Sequence, residues 1–399
     1  MQDVEFLVVG CGPAGGTAAR EAARAGVETL VLERDPVVGV KRVCAAGLRP
    51  GFCEDFDLPR SIVHCDPPTI SLHGTSGRRF DFPTVGEAHT TTREELDGTI
   101  ASLARAEGAE IVTSSLFRKY AADGDRTIVE YADLKSGERQ RIRARSVLLA
   151  QGSSARVEES SPLAYGAWSA GLITCYQYRV YPERPAIEST YRTLEMHYYL
   201  TKSGRNVIAW MFPKRDHLSI GLGVAGKFSG IELRAELEAF LPTVRERLFP
   251  GIAYTVREEG NLLYGGAPRP TVSDGNVMVA GTAAGLVDAT TGEGIHEAAT
   301  SGRIAACAVA GAKRGKTPSA GLQYSRDLKT AFYGRLRHRH KLMTFLERRP
   351  VRFDVLFEQL ARSPRFATML QRDRNDFSLG DWAFLYAQAA LFSIRALRV

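Results

Sequence analysis

The stretch FLVVGCGPAG, residues 6–15, decides the fold of this chain. A short apolar run, which predicts a β-strand, breaks at glycines spaced as GxGxxG and continues into an alanine-rich amphipathic helix over residues 16–24. Gly26 ends that helix, and a second apolar strand over residues 28–32 is followed by Glu33. Strand, glycine turn, helix, strand and acid in this order predict a Rossmann-like dinucleotide-binding unit.

Each glycine of the motif has its own expected task. Gly10 permits the tight turn, Gly12 lets the backbone approach a pyrophosphate, and Gly15 lets the helix pack close to the strand. The helix start that follows offers backbone N–H groups and the positive end of the helix dipole to a phosphate. We expect Glu33 to accept hydrogen bonds from the adenosine ribose hydroxyls. The motif alone does not choose between FAD and NAD(P), and a purely structural turn is the alternative interpretation.

The composition is that of a globular protein with an excess of basic residues. The 399 residues are 44% hydrophobic and 24% charged, with a net charge of +7. This length suits one large or two modest domains. The stretch 329–352 is densely basic and apolar, so it either lies on an anionic membrane surface or forms the solvated face of a helix that packs onto its own protein. We expect no nucleic-acid partner, since no helix-turn-helix or zinc spacing is present.

The cysteines and the hydropathy indicate the cellular compartment of the protein. None of the six cysteines forms a CxxC pair, so we predict no metal site. No signal peptide precedes the first strand, and no apolar run reaches the length of a membrane span. We therefore expect a cytoplasmic protein whose membrane contact, if it has one, is peripheral at the inner surface.

The remaining pattern predicts an α/β protein, α+β overall, in which two domains are interleaved. Predicted elements include a hairpin at 69–82, a helix from Arg93 capped by Thr92 and Glu95, strands at 110–117, 126–134 and 141–150, and an antiparallel sheet from residue 165. We assign residues 1–60, 90–160 and 262–315 to an FAD-binding domain, 61–89 and 161–261 to an antiparallel-sheet substrate domain, and 316–399 to a helical C-terminal region.

A second glycine cluster lies far along the chain. A buried strand at 276–280 leads into GTAAG at 281–285, and a glycine-rich helix start follows at Gly292-Glu293-Gly294-Ile295. One dinucleotide explains both clusters if the first holds its pyrophosphate and the second its far end. FAD is long enough, and a helix N-terminus at Ile295 would stabilise the flavin edge that becomes anionic on reduction. We therefore prefer FAD to NAD.

These motifs carry a resemblance to a known family. GCGPAG followed by Glu33-Arg34, Arg93 opening a helix, and the cluster at 281–295 resemble flavoproteins with the aromatic hydroxylase type of FAD fold. Within that group the chain resembles the geranylgeranyl reductase family. Cys44-Ala45-Ala46-Gly47 matches the CxxG beside the flavin, and Trp210-Met211-Phe212-Pro213 matches the end of YxWxFP. The resemblance covers roughly residues 4–310.

The resemblance implies a cofactor, a reaction and a set of site residues. It implies FAD as cofactor and the reduction of isolated C=C bonds in a prenyl chain of a lipid or lipid precursor, with NAD(P)H or a ferredoxin as electron donor. Hydride would come from the reduced flavin while a proton reaches the adjacent carbon. Catalytic candidates are Cys44, Trp210 and Phe212. Cofactor-binding candidates are Gly10, Gly12, Pro13, Ala14, Gly15, Glu33, Arg34, Cys44, Ala45, Gly47, Arg93, Leu116, Gly281, Thr282, Gly292, Gly294 and Ile295.

Three positions depart from the family pattern. Ile208 stands where the family has a tyrosine, and Gln151 and Thr282 stand where it has acids. Losing two acids is expected to weaken FAD binding by a few kcal/mol, since a hydrogen bond to a charged group is worth about 1.5–3 kcal/mol. Alternatively, Gln151 and Thr282 accept the same partners, with Asp288 as a candidate to compensate.

Several candidates keep two interpretations. Cys44 either donates a proton or forms part of the wall beside the flavin, and Lys41 and Arg42 would favour its thiolate. Alternatively, Cys44 is a small residue that fills a tight loop. Trp210 and Phe212 share one face of a strand and line a prenyl tunnel or belong to the sheet core. Arg93 meets an FAD oxygen or is a surface arginine. His296 takes part in catalysis or packs, and His197 and the other histidines receive no role.

Two rival functions stay open at this point. The first is a flavin-dependent monooxygenase or halogenase on the same fold, although the halogenase WxWxIP is only partly matched around Trp210. The second is a non-catalytic flavin-fold lipid-binding protein, which the residues Gln151 and Thr282 would favour.

Overall fold

The computed structural model describes residues 1–40, 43–84, 88–154, 161–166, 168–183, 191–226, 230–248, 251–317, 319–371 and 378–398. The helices are α1 Pro13–Arg24, α2 Phe52–Asp55, α3 Arg93–Ala106, α4 Gly230–Leu248, α5 Ile295–Lys313, α6 Ala320–Glu347, α7 Val351–Arg362, α8 Pro364–Gln371 and α9 Leu379–Leu397. The strands are β1 Gln2–Val9, β2 Thr29–Leu32, β3 Gly47–Leu48, β4 Thr69–His73, β5 Arg79–Pro83, β6 His89–Thr90, β7 Glu110–Val112, β8 Ser115–Asp123, β9 Arg126–Asp133, β10 Arg139–Leu149, β11 Leu172–Pro182, β12 Thr193–Leu200, β13 Asn206–Pro213, β14 Leu218–Ala225, β15 Tyr254–Tyr264, β16 Ser273–Asp274 and β17 Val277–Val279.

The first sheet contains the predicted Rossmann-like unit. Its order is β16-β17-β10-β1-β2-β7, and β17, β10, β1, β2 and β7 are parallel to one another. The strands β8 and β9 continue antiparallel from β10. Parallel strands are buried on both faces, which explains the unbroken apolar run of β1, where Phe6, Leu7 and Val8 are fully buried. Helix α1 packs so closely against α5 that a Cβ built on Gly302 would lie 2.1 Å from the Ala14 carbonyl oxygen.

The second sheet provides two faces with different partners. Its order is β15-β11-β14-β13-β12-β4-β5, and neighbouring strands are antiparallel except for the parallel pair β4–β12. One face packs against α4 through a core that includes Val207, Met211 and Leu237. The other packs against α7, where the Tyr198 ring stacks on Phe353 with centroids 4.7 Å apart. The predicted fold class is confirmed, with β4–β12 as a parallel exception in a sheet predicted to be antiparallel.

The local predictions hold at the helix after residue 92 and fail at one strand. The Thr92 hydroxyl accepts a hydrogen bond from the Glu95 N–H at 3.3 Å, as a capping residue should. The predicted strand 110–117 is wrong, because Ser114 adopts a φ of 58° and divides it into β7 and β8. The strands of the two sheets alternate along the chain, and the domain boundaries given above stay a prediction.

Most of the basic stretch lies on α6 and packs onto the protein, and its last two residues begin α7. Its apolar side chains Phe332, Tyr333 and Leu336 are buried in the core of the first sheet. Arg335 and Arg339 turn toward the buried Asp288 carboxylate, at 3.8 and 3.4 Å. These contacts agree with the interpretation of the stretch as a helix that packs onto its own protein. The apolar residues that would enter a bilayer are buried in the protein core instead. Within the described residues, no helix combines the length and the apolar content that crossing a bilayer requires.

Candidate active site

The glycine turn after β1 has the geometry that the motif predicts. Gly10 has a φ of 97°, and a Cβ built there would lie 2.6 Å from the Ala150 carbonyl oxygen. A Cβ on Gly15 would lie 1.8 Å from the Gly10 carbonyl oxygen, so α1 can begin directly over the strand end only without that side chain. The turn therefore brings the N-terminus of α1, starting at Pro13 and Ala14, to the carboxyl edge of the first sheet.

The start of α1 has the features of an anion cradle. Its N-cap is Gly12, and no side chain caps the backbone N–H groups there. A Cβ on Gly12 would lie 3.3 Å from Nη2 of Arg93, which leaves a narrow space in front of the helix. Beside the turn, Gln151 Oε1 is buried without a hydrogen-bond partner in the described part of the chain. Uncapped N–H groups, a guanidinium and an unmatched acceptor fit the diphosphate and hydroxyl groups of a dinucleotide.

Glu33 is held by the backbone of the glycine turn. Its Oε2 accepts from the Cys11 N–H at 2.7 Å and its Oε1 from the Asp35 N–H at 2.9 Å. Burial raises the pKa of Glu33. A carboxylate can accept more than two hydrogen bonds, so Glu33 can still accept from a ribose hydroxyl. That ribose contact stays a prediction. The sequence reasoning did not anticipate the Cys11 contact.

Two of the predicted cofactor-binding residues lie at the margin of this cradle. Arg34 pairs with Asp35 at 3.2 Å on the surface. Leu116 is half-buried on β8, beside Ser115, whose N–H donates to the Glu33 carbonyl at 2.7 Å. Among the described residues, Arg34 and Leu116 make no hydrogen bond or ion pair with the glycine turn, and their roles stay predictions.

The second glycine cluster meets the first, as the use of one dinucleotide requires. Gly281 has a φ of 60°, and a Cβ built there would lie 3.1 Å from the Ala14 Cβ and 3.2 Å from the Ala298 Cβ. Thr282 is half-buried in the turn that follows. Helix α5 begins at Ile295 after the N-cap Gly294, again without a side-chain cap, and Gly292 has a φ of 73°. Two uncapped helix starts therefore border one region.

Asp288 orders the loop before α5. Its Oδ1 accepts from the Thr290 N–H at 2.9 Å and from the Thr290 hydroxyl at 2.6 Å, while its Oδ2 faces Arg335 and Arg339. The carboxylate is thus engaged inside its own loop and with α6. This arrangement gives Asp288 a structural task, and the roles of Thr282 and Gln151 toward a cofactor stay predictions.

Arg93 is buried at the centre of the site. It is 6% exposed, and its Nε and Nη2 bond the Asp97 carboxylate at 2.9 and 2.5 Å. Arg93 also hydrogen bonds Cys44. Burial alone would lower the pKa of Arg93, but Asp97 and Cys44 raise it, so the guanidinium stays charged. The interpretation as a surface arginine is wrong. Sequence reasoning missed Asp97, although its i,i+4 spacing from Arg93 was a usable signal.

The CxxG loop packs directly onto the WxFP strand. A Cβ on Gly47 would lie 2.8 Å from the Phe212 Cε2 atom, so the glycine is the residue that admits this ring. Lys214 is 1% exposed and donates from Nζ to the Ala45 carbonyl at 2.6 Å. Burial lowers the pKa of Lys214 to about 7, while Cys44 raises it. Sequence reasoning missed Lys214, whose signal was a lysine directly after an apolar strand. Lys41 and Arg42, expected to favour a Cys44 thiolate, lie outside the described residues.

Trp210 and Phe212 share one face of β13, as predicted, while Met211 is buried on the other. The Trp210 Nε1 donates to the Gln177 Oε1 at 3.0 Å, and its ring covers Gly221. Ile208, which replaces the family tyrosine, has Tyr198 as its cross-strand partner. The Tyr198 hydroxyl donates to the Thr290 carbonyl at 3.1 Å, so a phenol is present on the neighbouring strand.

His296 lies beside the helix start but packs. Its ring stands edge-on to Phe52 and Phe56, at centroid distances of 6.2 and 5.8 Å. Its Nε2 lies 3.6 Å from an Asp55 oxygen, and burial lowers the pKa of His296. These contacts agree with the packing interpretation.

Comparison with known proteins shows which proteins this chain resembles. No family model matches the chain. Geranylgeranyl diphosphate reductase of Rhodobacter capsulatus is 30% identical over 323 residues, covering 78% of this chain and 76% of the relative. Digeranylgeranylglycerophospholipid reductase 2 of Methanopyrus kandleri is 28% identical over 314 residues, covering 76% of each chain.

Solved structures show the same fold. A geranylgeranyl bacteriochlorophyll reductase-like protein from Thermoplasma acidophilum superimposes with a TM-score of 0.74 at 21% identity, covering 100% of this chain and 98% of that one. The flavin-dependent brominase Bmp2 superimposes with a TM-score of 0.71 at 18% identity, covering 99% and 100%.

The solved structures show the fold, and the curated reductases show that the chain is an oxidoreductase. Within that class, the identity and coverage of the curated relatives decide the assignment. The chain belongs to the geranylgeranyl reductase family.

Proposed function

We propose that the protein is an FAD-dependent oxidoreductase that reduces isolated C=C bonds of a geranylgeranyl-type prenyl chain in a lipid or lipid precursor. The observation that carries this proposal is the junction of three motifs. Cys44 hydrogen bonds Arg93 beside the glycine cradle, and Gly47 packs on Phe212 of the WxFP strand. The names of the relatives supply the substrate class.

Bound FAD, when reduced, supplies a hydride. The residues fit its diphosphate at the start of α1 and its far end at the start of α5, where neither helix has a side-chain cap. Arg93, fixed by Asp97, presents a charge beside Gly12 without needing to be ordered by the ligand. We assign the seventeen cofactor-binding candidates of the sequence analysis to this region, with Arg34 and Leu116 at its margin.

The chain's own groups provide the proton. An isolated alkene has no carbonyl to polarise it, so a proton must be delivered to the second carbon as the first accepts hydride. Cys44 holds that proton on its thiol, and the nearby cations Arg93 and Lys214 stabilise the thiolate that is left. Phe212 and Trp210 form an aromatic wall that positions an apolar chain and excludes water.

The test is an anaerobic flavin assay on the purified protein. Photoreduced protein is mixed with a geranylgeranyl lipid, and reoxidation of the flavin absorption is followed together with the saturated product by mass spectrometry. Cys44→Ala should keep FAD and lose product, whereas Cys307→Ala, at an exposed cysteine on α5, should resemble wild type. Reoxidation only with oxygen and halide or an aromatic substrate would instead support the halogenase or monooxygenase alternative. Protein that takes up no FAD would support the lipid-binding alternative.

Electron supply and location are separate proposals. We keep NAD(P)H or a ferredoxin as the donor, and peripheral contact with a membrane surface as the route by which a lipid substrate would reach the site. Stopped-flow reduction with each donor, and co-sedimentation with anionic vesicles, test the two independently.

A further inference from the structure

Three potential metal ligands meet on the second sheet, on the face that α4 covers. His73 is the last residue of β4, and Glu195 and His197 stand two residues apart on β12. In the parallel pair β4–β12, His73 is the register partner of His197. Residues i and i+2 of a strand and the cross-strand neighbour share one sheet face. Their ligand atoms all lie within 4.8 Å of one another.

Glu195 is buried in this cluster, and the two histidines beside it are half-buried. Glu195 is 1% exposed; its Oε2 lies 3.1 Å from the His197 Nε2 and 3.6 Å from the His73 Nε2. The two imidazole rings stack with centroids 3.8 Å apart and planes at 14°. The His73 Nε2 is buried and has no hydrogen-bond partner among the described residues. A buried polar nitrogen without a hydrogen-bond partner is costly unless a ligand satisfies it.

One cation lies near this cluster, on the neighbouring strand. Arg79 is the cross-strand partner of His73 on β5, and its guanidinium pairs with Asp81 at 2.8 Å. The cluster itself offers two imidazole nitrogens and one carboxylate oxygen as ligand atoms.

We propose that His73, Glu195 and His197 form a binding site for a divalent transition metal ion, with zinc as the ion that best suits two imidazoles and one carboxylate. Zinc takes these ligands at about 2.0–2.2 Å and lies in the plane of each imidazole, so the stacked rings must rotate apart to share one ion. The same ligand set with open positions also suits other first-row divalent ions, whose affinities follow a known order.

The open side of the site faces a cavity. The cavity has a volume of about 510 Å³ and is lined by His73 and His197 together with Glu236, Phe240 and Thr243 of α4. Three protein ligands and an open coordination position are the arrangement of catalytic rather than closed structural zinc sites. Water, the Glu236 carboxylate or a small anionic ligand can complete the coordination.

The proposed metal site is separate from the flavin region. Tyr198, between His197 and Tyr199 on β12, points to the opposite face and reaches Thr290 of the loop before α5. The sheet therefore stands between the two sites, and the metal proposal does not depend on the proposed reductase activity. The sequence analysis predicted no metal because it looked for cysteine spacings and gave the histidines no role.

The test measures metal content, not turnover. Full-length protein without an affinity tag is stripped with a chelator, equilibrated with one equivalent of Zn²⁺, desalted and analysed for zinc. We expect one zinc per chain. Competition with a chromophoric chelator gives the affinity, and Co²⁺ replaces Zn²⁺ for a visible spectrum that reports the coordination.

Matched variants separate this site from adventitious binding. Glu195→Gln and His73→Asn should each weaken zinc binding by more than the roughly 10–100-fold caused by losing an outer-shell partner. His338→Ala, at an exposed histidine of α6, should keep the wild-type affinity. Zinc should raise the melting temperature of wild type but not of Glu195→Gln. If Glu195→Gln fails to fold, His73→Asn alone decides the question.

Two outcomes would overturn the proposal. One is desalted wild-type protein without zinc, or with zinc that His73→Asn retains equally. The other is imidazole NMR signals of His73 and His197 that titrate identically with and without Zn²⁺, since a shared proton would then satisfy Glu195.

Discussion

The buried ammonium of Lys214 donates a hydrogen bond to the carbonyl oxygen of Ala45 at 2.6 Å. This bond ties the end of the WxFP strand to the CxxG loop that carries Cys44. A fully buried lysine is rare in proteins and costs free energy, so its presence here indicates that the charge of Lys214 has a function.

Lys214 should make the stability of the protein depend on pH. Its folded-state pKa is about 7, below the value of about 10.4 expected in the unfolded chain. Between these values the unfolded chain binds more protons, so the free energy of unfolding rises with pH by up to about 1.4 kcal/mol per unit, and below pH 7 this dependence disappears.

Chemical denaturation of wild type and Lys214→Met between pH 6 and 9 measures this effect. The difference in unfolding free energy between the two proteins should rise above pH 7. The variant also leaves the Ala45 carbonyl without its donor, which should cost about 1–3 kcal/mol at pH 6. A difference that stays flat over this range would show that Lys214 keeps an ordinary pKa.

Gly47→Ala should disrupt the junction of the two motifs. The added methyl would lie 2.8 Å from the Phe212 ring, so either the loop or the ring must move. We expect loss of at least 10-fold in alkene reduction with a small change in stability, of about 1–3 kcal/mol. Gly98→Ala on α3 is the matched control, because its Cβ would meet open space and should be neutral or stabilising. Phe212→Leu added to Gly47→Ala should recover part of the stability, and failure to do so would contradict the steric explanation.

Asp97→Asn should be strongly destabilising because it leaves the buried Arg93 charge without its anionic partner. Breaking a buried ion pair at one side costs about 3–5 kcal/mol. Glu238→Gln provides the control: it breaks the pair with Arg234, which has the same i,i+4 spacing but lies exposed, and should leave stability nearly unchanged. Thermal unfolding of both variants makes the comparison. Similar losses in the two would mean that burial of Arg93 has little energetic consequence.

Gly12→Val should abolish flavin binding while the apoprotein remains folded. A valine side chain would fill the space between the α1 N-terminus and the Arg93 guanidinium, where a Cβ alone already comes within 3.3 Å. The flavin-to-protein ratio from the absorption spectrum measures the outcome, with circular dichroism as the check on folding. Retention of stoichiometric flavin would remove the glycine turn from the binding site.

The sequence predicted those parts of the site that local motifs carry. Gly10 and Gly15 have the backbone reasons expected of them, and Thr92 caps its helix as the spacing indicated. The sequence also predicted that one dinucleotide spans both glycine clusters, and Gly281 does lie beside Ala14.

The residues that sequence reasoning missed are defined by tertiary contacts. Lys214 matters because the CxxG loop lies against it, and Asp97 because Arg93 is buried. His73 and His197 become neighbours only through the parallel pairing of β4 with β12, which the expected antiparallel sheet did not contain. Ser114 interrupts the predicted strand 110–117 because its φ is positive, and a pattern of apolar residues does not reveal the sign of φ.

The contact between Gly281 and Ala14 also fixes when the cofactor can be acquired. The cradle combines a turn made within the first fifteen residues of the chain with a loop near residue 281, so it is absent from a growing polypeptide until most of the chain has left the ribosome. With FAD bound there as we propose, flavin uptake is a late event in biogenesis. Truncated or stalled products, which lack the completed cradle, would then not bind flavin.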